Sequence, residues 1–260
     1  FSRPAKDLSW GVPVPDDPAH TMYVWCDALT NYISAIGYGR DKDHFVEWWP
    51  ADLHIIGKDI LRFHAAIWPG MLLAAELPLP RSIFVHGFIT VDGQKMSKSV
   101  GNVVSPVELV EKYGADPVRY YLLREIPSGE DGDFSYEKFE QRYNGDLANG
   151  IGNLVARVAT LGERVSPMVF DAKITIEKET NEAIERIRSE YEKEMQAFRL
   201  NEALGRAWEI ISIADKYINE KKPWMLTDTD ALARVIMNAS YLIDCFANLI
   251  VPFLPQTAER

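Results

Sequence analysis

Apolar and polar positions follow two rhythms along this chain. Before about residue 127, short apolar runs alternate with helical spacings. Met22–Cys26, Leu53–Ile56 and Ser82–Phe88 are strand-sized apolar runs, and Asp27–Ile36 reads as a helix. Ile60, His64, Ile67 and Trp68 fall at i, i+4, i+7 and i+8, which is one face of a helix. Strand, helix and strand in this order predict a parallel α/β sheet. Ser105-Pro106-Val107-Glu108 is a capping box with proline at the first helical position. Gly114 is placed to end that helix, and Asp116-Pro117 to cap the next.

The second rhythm is helical throughout. Ala203, Ala207, Ile210, Ile211, Ala214, Tyr217 and Ile218 form one apolar stripe. Leu232, Val235, Ile236, Ala239, Leu242, Ile243 and Phe246 form another, and Ile184, Ile187, Tyr191, Met195 and Phe198 a thinner third. Helices with one wet and one dry face pack into a bundle, so the stripes are expected to be core. Punctuation agrees: eleven of the fifteen prolines precede Ser128, and Gly205 is the one glycine after Gly162. Ser128–Asp133 is a polar bridge between the rhythms.

Composition narrows the class. Hydrophobic residues at 47% and charged residues at 25% are globular values. Two cysteines, Cys26 and Cys245, exclude a disulfide scaffold and a four-cysteine zinc site. The uncharged stretch Cys245–Ala258 is short and broken by Pro252 and Pro255, so no membrane partner is expected. Phe1–Asp7 has no apolar core like that of a signal peptide, which points to the cytoplasm. The 260 residues carry 38 acidic and 28 basic side chains, a formal charge of −10. Such a balance argues against nucleic-acid binding unless a few cations line one groove while the acidic excess sits elsewhere.

The segment with chemistry in it runs His86-Gly87-Phe88-Ile89-Thr90-Val91-Asp92-Gly93-Gln94-Lys95-Met96-Ser97-Lys98-Ser99. Two lysines three apart sit in a polar loop bracketed by Gly93 and Gly101. Such a loop can close over a polyphosphate and set ammonium groups against charge growing on a leaving group. Taken alone, two lysines would read as a solvated surface loop.

Lys95-Met96-Ser97-Lys98-Ser99 resembles, letter for letter, the KMSKS signature of class I aminoacyl-tRNA synthetases. Tyr23-Val24-Trp25-Cys26-Asp27-Ala28, Ile56-Gly57-Lys58-Asp59, Phe63-His64, Trp68-Pro69-Gly70-Met71 and Lys222-Pro223-Trp224 are similar to segments of the methionyl-tRNA synthetase family. The likeness covers essentially the whole chain, in order. It implies α/β plus all-α architecture: the second half of a Rossmann-type nucleotide-binding fold, then an α-helical anticodon-binding bundle. The implied domains are 1–115 (catalytic half with the KMSKS loop), 116–145 (stem-contact and linking region) and 146–260 (bundle).

The resemblance also implies roles. The activity is ligation of methionine to tRNA(Met) through a methionyl-adenylate, with ATP and Mg2+ as the nucleotide complex. Lys98 is the lysine tied to the transition state and Lys95 a supporting contact. ATP is met by Gly57, Asp59, His86, Ile89, Lys95, Met96, Ser97, Lys98 and Ser99, with Gly57 and Asp59 near the ribose and the Ile89 backbone at the adenine edge. Methionine is met by Trp25, Ala28, Leu29, Tyr32, Ile60, His64 and Trp68. The Tyr32 hydroxyl and a His64 ring nitrogen are expected to recognise sulfur. Some family members carry proline at the place of Leu29. Asn153, Arg157 and Trp224 are the implied anticodon contacts, and Arg164 extends the basic line from Arg157. No metal site is expected in this chain.

The second class I signature, His-x-Gly-His, does not occur; the histidines are His20, His44, His54, His64 and His86. The family's connective insertion is absent as well. The chain therefore resembles a C-terminal portion, with an N-terminal half of the same enzyme as its expected partner and no activity expected alone. Two alternatives stay open: a non-catalytic tRNA-binding module, and a class I synthetase for leucine, isoleucine, valine or cysteine. The aromatic set Trp25, Tyr32, His64 and Trp68 disfavours the branched aliphatic substrates. No P-loop pattern is present.

Overall fold

The computed structural model describes residues 2–8, 10–97, 99, 101–165 and 176–259. They divide into two compact units, Phe1–His86 and Gly87–Arg260.

In the first unit β1 (Ser2–Pro4), β2 (Pro13–Val14) and β3 (Asp17–Met22) form an antiparallel sheet in the order β1-β3-β2. Helices α1 (Val24–Ser34) and α2 (Lys42–Trp48) lead to β4 (His54–Gly57). A continuous irregular helix follows: a 3-10 turn at Lys58–Ile60, a π-helical turn at Phe63–Ile67, then α3 (Trp68–Ala74). Strand β5 (Ile83–His86) returns parallel to β4, with Gly57 opposite His86. The parallel pair expected from Leu53–Ile56 and Ser82–Phe88 is thus present. Leu29, Ile33, Trp49, Trp68 and Leu72 form this unit's core.

The expected strand at Met22–Cys26 does not form. The strand stops at Met22 and α1 begins at Val24. Packing overrides the local β preference here: Trp25 stacks on Phe63 at 4.3 Å and Leu29 is fully buried, which requires helical spacing.

The second unit opens with β6 (Ile89–Val91) and β7 (Gln94–Lys95), joined by Asp92 and Gly93 with φ of 50° and 73°. Positive φ at both turn residues is the twist-matched hairpin geometry that Asp-Gly favours. Then come α4 (Pro106–Tyr113), α5 (Ala115–Glu125), β8 (Gly132–Phe134) and α6 (Tyr136–Arg142). Strand β8 pairs parallel with β6. A π-helical segment, Tyr143–Gly152, runs into α7 (Asn153–Gly162). The bundle continues with α8 (Lys178–Gln196), α9 (Leu200–Lys221), a 3-10 turn at Pro223–Met225, α10 (Thr229–Ile250) and the short α11 (Pro255–Ala258).

The Ser105 hydroxyl accepts the Glu108 N–H at 3.3 Å, as the capping box requires, and Gly114 ends α4 at φ 87°. Asp116 does not cap α5. It lies inside that helix, buried, and accepts both the N–H and the hydroxyl of Thr257 at 2.7 Å. Arg119, also on α5, donates to the carbonyls of Pro252 and Phe253. The acidic residue is therefore used to hold α11 rather than its own helix end.

Among the described residues, two cores fill this unit. Val91, Leu109, Val118, Tyr121, Phe134 and Phe139 form the smaller one. The stripes of α8, α9 and α10 form the larger, joined by Leu154 and Val158 of α7. Phe198 departs from its stripe: it follows the end of α8 at φ 56° and is 36% exposed. Tyr120 of α5 enters the bundle core, stacks on Trp208 at 4.6 Å and donates to Asp146 at 2.7 Å. Val91 and Leu109 share a core with Val118 and Phe139. The second compact unit begins at Gly87.

Candidate functional site

In the first unit an aromatic cluster gathers most of the expected methionine contacts. Trp25 of α1 meets His64 edge-on at 5.9 Å. Tyr32, two turns further along the same face of α1, lies 5.7 Å from His64 and 6.0 Å from Trp68. His64 and Trp68 are both buried, on the π-helical turn and at the head of α3. A π-turn widens the helix locally, a feature often found at functional sites. Ile60 is half-buried, Ala28 is exposed, and Leu29 lies at 0% exposure in the core behind the cluster. Phe63, not among the expected methionine contacts, backs Trp25 by stacking.

The polar atoms of this cluster are joined to one another. His64 Nδ1 lies 3.1 Å from the Ile60 carbonyl, an acceptor only, so Nδ1 carries the proton. The ring Nε2 is hydrogen-bonded to the Tyr32 hydroxyl at 3.0 Å. Both groups expected to recognise sulfur are therefore engaged with each other. Burial pushes the Tyr32 phenol above its ordinary pKa. A further histidine, His54, accepts the Trp68 indole N–H at 3.2 Å and packs 4.5 Å from the Tyr32 ring. Sequence reasoning missed it. The usable signal was the strand period of two, which turns His54 inward beside Ile56.

Three expected nucleotide contacts also lie in this unit. The parallel register sets Gly57 against His86. A side chain at Gly57 would come within 2.9 Å of Asp59 Oδ1 and 3.7 Å of the His86 ring. Gly57, Asp59 and His86 are thus neighbours at the ends of β4 and β5.

In the second unit the polar loop leaves β7 at Lys95, which is exposed. Lys98 lies outside the described residues. Met96 packs on the Val91–Phe139 cluster and anchors one side of the loop. Asn102 closes the other: its Oδ1 accepts the Ser97 N–H at 2.9 Å and its Nδ2 donates to the Lys95 carbonyl at 3.2 Å. Ser97 and Ser99 hydroxyls are 2.7 Å apart. Asp133 of β8 accepts from the Thr90 hydroxyl at 2.6 Å and from the Gly93 N–H at 2.7 Å. The Thr90 hydroxyl first, then the Gly93 amide, holds the Asp133 carboxyl below its ordinary pKa. Ile89, 37% exposed, lies on β6 beside these bonds. Gly87 is fixed by close approach, since any side chain there would collide with the Glu130 carbonyl. Asn102 and Asp133 were not singled out in the sequence. Asparagine directly after Gly101 was the available signal, because its amide bonds nearby backbone in turns.

In the bundle, Asn153 opens α7 and is exposed, and Trp224 is 48% exposed in the turn after α9. Arg157 is engaged: its guanidinium donates to Asp215 of α9. Its Nε is buried without a hydrogen-bond partner. Arg164 donates to the Leu226 carbonyl, tying the end of α7 to the segment after Trp224. The expected basic line is therefore paired within the protein.

Among the described residues no three metal-ligating side chains lie together, and no helix is long and apolar enough to cross a membrane.

Comparison with known proteins matches this layout. The family of class I tRNA synthetases (M) matches residues 3–159, and the anticodon-binding domain of methionyl tRNA ligase matches residues 171–260. A methionine–tRNA ligase of Thermotoga maritima is 46% identical over 98% of this chain and 43% of that protein. One of Clostridium acetobutylicum is 46% identical over 98% of this chain and 41% of its own length. The structure of Mycobacterium tuberculosis methionyl-tRNA synthetase in complex with methionyl-adenylate superposes with a TM-score of 0.85 at 39% identity, covering all of this chain and 52% of that one. Fold and matches together define part of a class I synthetase: the second half of the catalytic domain followed by an anticodon domain. The chain belongs to the methionyl-tRNA synthetase family. It spans about half the length of the relatives it matches.

Proposed function

We propose that this chain is the C-terminal portion of an enzyme that activates methionine with ATP and transfers it to tRNA(Met). A methionine carboxylate oxygen attacks the α-phosphorus of ATP, the bond to the β-phosphate oxygen breaks, and pyrophosphate leaves. The 3′-terminal ribose hydroxyl of tRNA then takes the methionyl group and releases AMP. Neither step needs a nucleophilic side chain; positioning and charge stabilisation suffice. The observation that carries this reading is the aromatic cluster of Trp25, Tyr32, His64 and Trp68, joined to the family assignment. Thioether sulfur gains from aromatic edges, and this cluster offers them with its own polar atoms already paired.

Ala28, Leu29 and Ile60 complete the proposed methionine surroundings. Gly57, Asp59, His86, Ile89, Lys95, Met96, Ser97, Lys98 and Ser99 are assigned to ATP. Lys98 opposes the charge that grows on the leaving pyrophosphate, with Lys95 in support. Magnesium is treated as part of the ATP substrate, and no side chain of this chain is assigned to it. Asn153, Arg157 and Trp224 are assigned to the anticodon, where stacking on Trp224 and edge contacts suit an unstacked base. The domain roles follow: 1–115 for activation, 116–145 for the tRNA stem, 146–260 for the anticodon. Aminoacylation of tRNA for protein synthesis sets the work in the cytoplasm. The remaining half of the enzyme supplies the His-x-Gly-His contribution, so the isolated chain is expected to be inactive.

The test is ATP–pyrophosphate exchange by the full-length protein with methionine, leucine, isoleucine, valine or cysteine. Exchange that depends on methionine supports the reading. Equal exchange with a branched aliphatic amino acid, or none with methionine, overturns it.

A further inference from the structure

His54 has no role in the assignment above, yet it lies inside the aromatic cluster. It is 5% exposed, at the first position of β4. The Trp68 indole N–H can only donate, so His54 Nε2 must present a lone pair to it at 3.2 Å. Its ring packs against Tyr32 at 4.5 Å and stands 5.9 Å from His64 and 6.4 Å from Trp49. The indole donor therefore places the proton of a neutral His54 ring on Nδ1. The His54–Trp68 bond holds only while the His54 imidazole is neutral. A proton on His54 Nε2 would set N–H against N–H.

We propose that His54 is a positioning residue of the methionine pocket, fixing Trp68 through its indole N–H and backing the Tyr32 ring, and that methionine binding requires it uncharged. This rests on the methionine reading of the cluster. The titratable groups facing His54 are Tyr32 from α1 and His64 from the π-helical turn; Trp49 and Trp68 carry no titratable group. Burial first, and the neighbouring His64 second, hold the His54 imidazole below its ordinary 6.5. A depressed histidine keeps its neutral form above that value and loses it as pH falls through the lower one. The acid limb of methionine binding thus lies below pH 6.5.

The experiment measures KM for methionine against pH by ATP–pyrophosphate exchange, using the full-length protein and two variants. His54→Leu keeps bulk but removes the acceptor, leaving a buried indole N–H unpaired, and is expected to raise methionine KM about tenfold while ATP KM stays put. His54→Gln keeps an acceptor oxygen and cannot titrate; it is expected to hold the low KM and to lose the acid limb attributed to His54. A merely space-filling histidine would make the two variants alike, and a wild-type KM in His54→Leu would overturn the proposal. So would an unchanged acid limb in His54→Gln. Nitrogen NMR of 15N-histidine in the same protein reads the His54 tautomer without methionine. An Nδ1–H tautomer in a protein that does not activate methionine would sink the functional reading and spare the tautomer. An Nε2–H tautomer would sink the positioning role itself.

Discussion

The aromatic cluster of the first unit and the proposed base-reading face of the bundle handle their polar groups in opposite ways. In the cluster, His64 bonds the Tyr32 hydroxyl and the Ile60 carbonyl, and His54 bonds the Trp68 indole, so the polar atoms are paired among themselves. On the bundle face Asn153 and Trp224 are exposed, while Arg157 is held by Asp215. An apolar ligand is best met by a wall whose hydrogen bonds are satisfied beforehand, because an unpaired buried donor or acceptor costs about 1–3 kcal/mol. A nucleobase carries donors and acceptors of its own, so its reader must keep such groups in reach of water. The ion pair of Arg157 with Asp215 sets that cation's direction and offsets its charge; an arriving base edge would compete with the carboxylate.

The comparison breaks first if the bundle is not a platform independent of the cluster. Phe246 is fully buried and meets Trp208 edge-on at 5.0 Å. Phe246→Ala is expected to destabilise the second unit by about 3–5 kcal/mol. Urea unfolding followed by circular dichroism reads the loss, and the methionine KM of the still-folded fraction should not move.

The polar loop supplies the next two tests. Lys98→Ala in the full-length protein removes a charge contact made in the transition state and is expected to slow adenylate formation by two or more orders of magnitude, about 2.7–4 kcal/mol. Methionine affinity should barely change, since the loop is assigned to phosphate. A near-normal exchange rate would remove Lys98 from the mechanism. Asn102 bridges the backbone at Lys95 and Ser97. Asn102→Ala is expected to lower kcat of exchange about tenfold by loosening the lysine-bearing backbone, again with methionine KM unmoved. A rise in methionine KM with kcat intact would show that the amide serves elsewhere.

What the sequence made legible divides by the range of the forces involved. The stripes of α9 and α10 were readable because their burial follows from a local period of 3.6. The Ser105 cap was readable because donor and acceptor lie three residues apart. The loop from Lys95 to Ser99 stood out as a contiguous motif. Contacts between distant segments did not show. Asp116 has the letters of a cap but is bonded to Thr257, 141 residues away. Val24 to Cys26 favour a strand in isolation and become helical because Trp25 stacks on Phe63. In the candidate site, His64 and Trp68 were found from their spacing, yet their hydrogen-bond partners were not. Tyr32 lies 32 residues from His64 and His54 lies 14 from Trp68, and no local pattern fixes either pairing.

Trp224→Ala in the full-length protein separates the two regions most directly, with both partial reactions measured on one preparation. Stacking of a base on an aromatic ring is worth about 1–3 kcal/mol, so charging of tRNA(Met) should weaken by about ten- to a hundredfold through tRNA binding. Methionine activation uses no tRNA, and Trp224 belongs to the second unit, whereas the aromatic cluster belongs to the first. ATP–pyrophosphate exchange should therefore keep its wild-type rate and methionine KM. If exchange falls as far as charging does, Trp224 is a structural anchor, and the division of labour between cluster and bundle face is wrong.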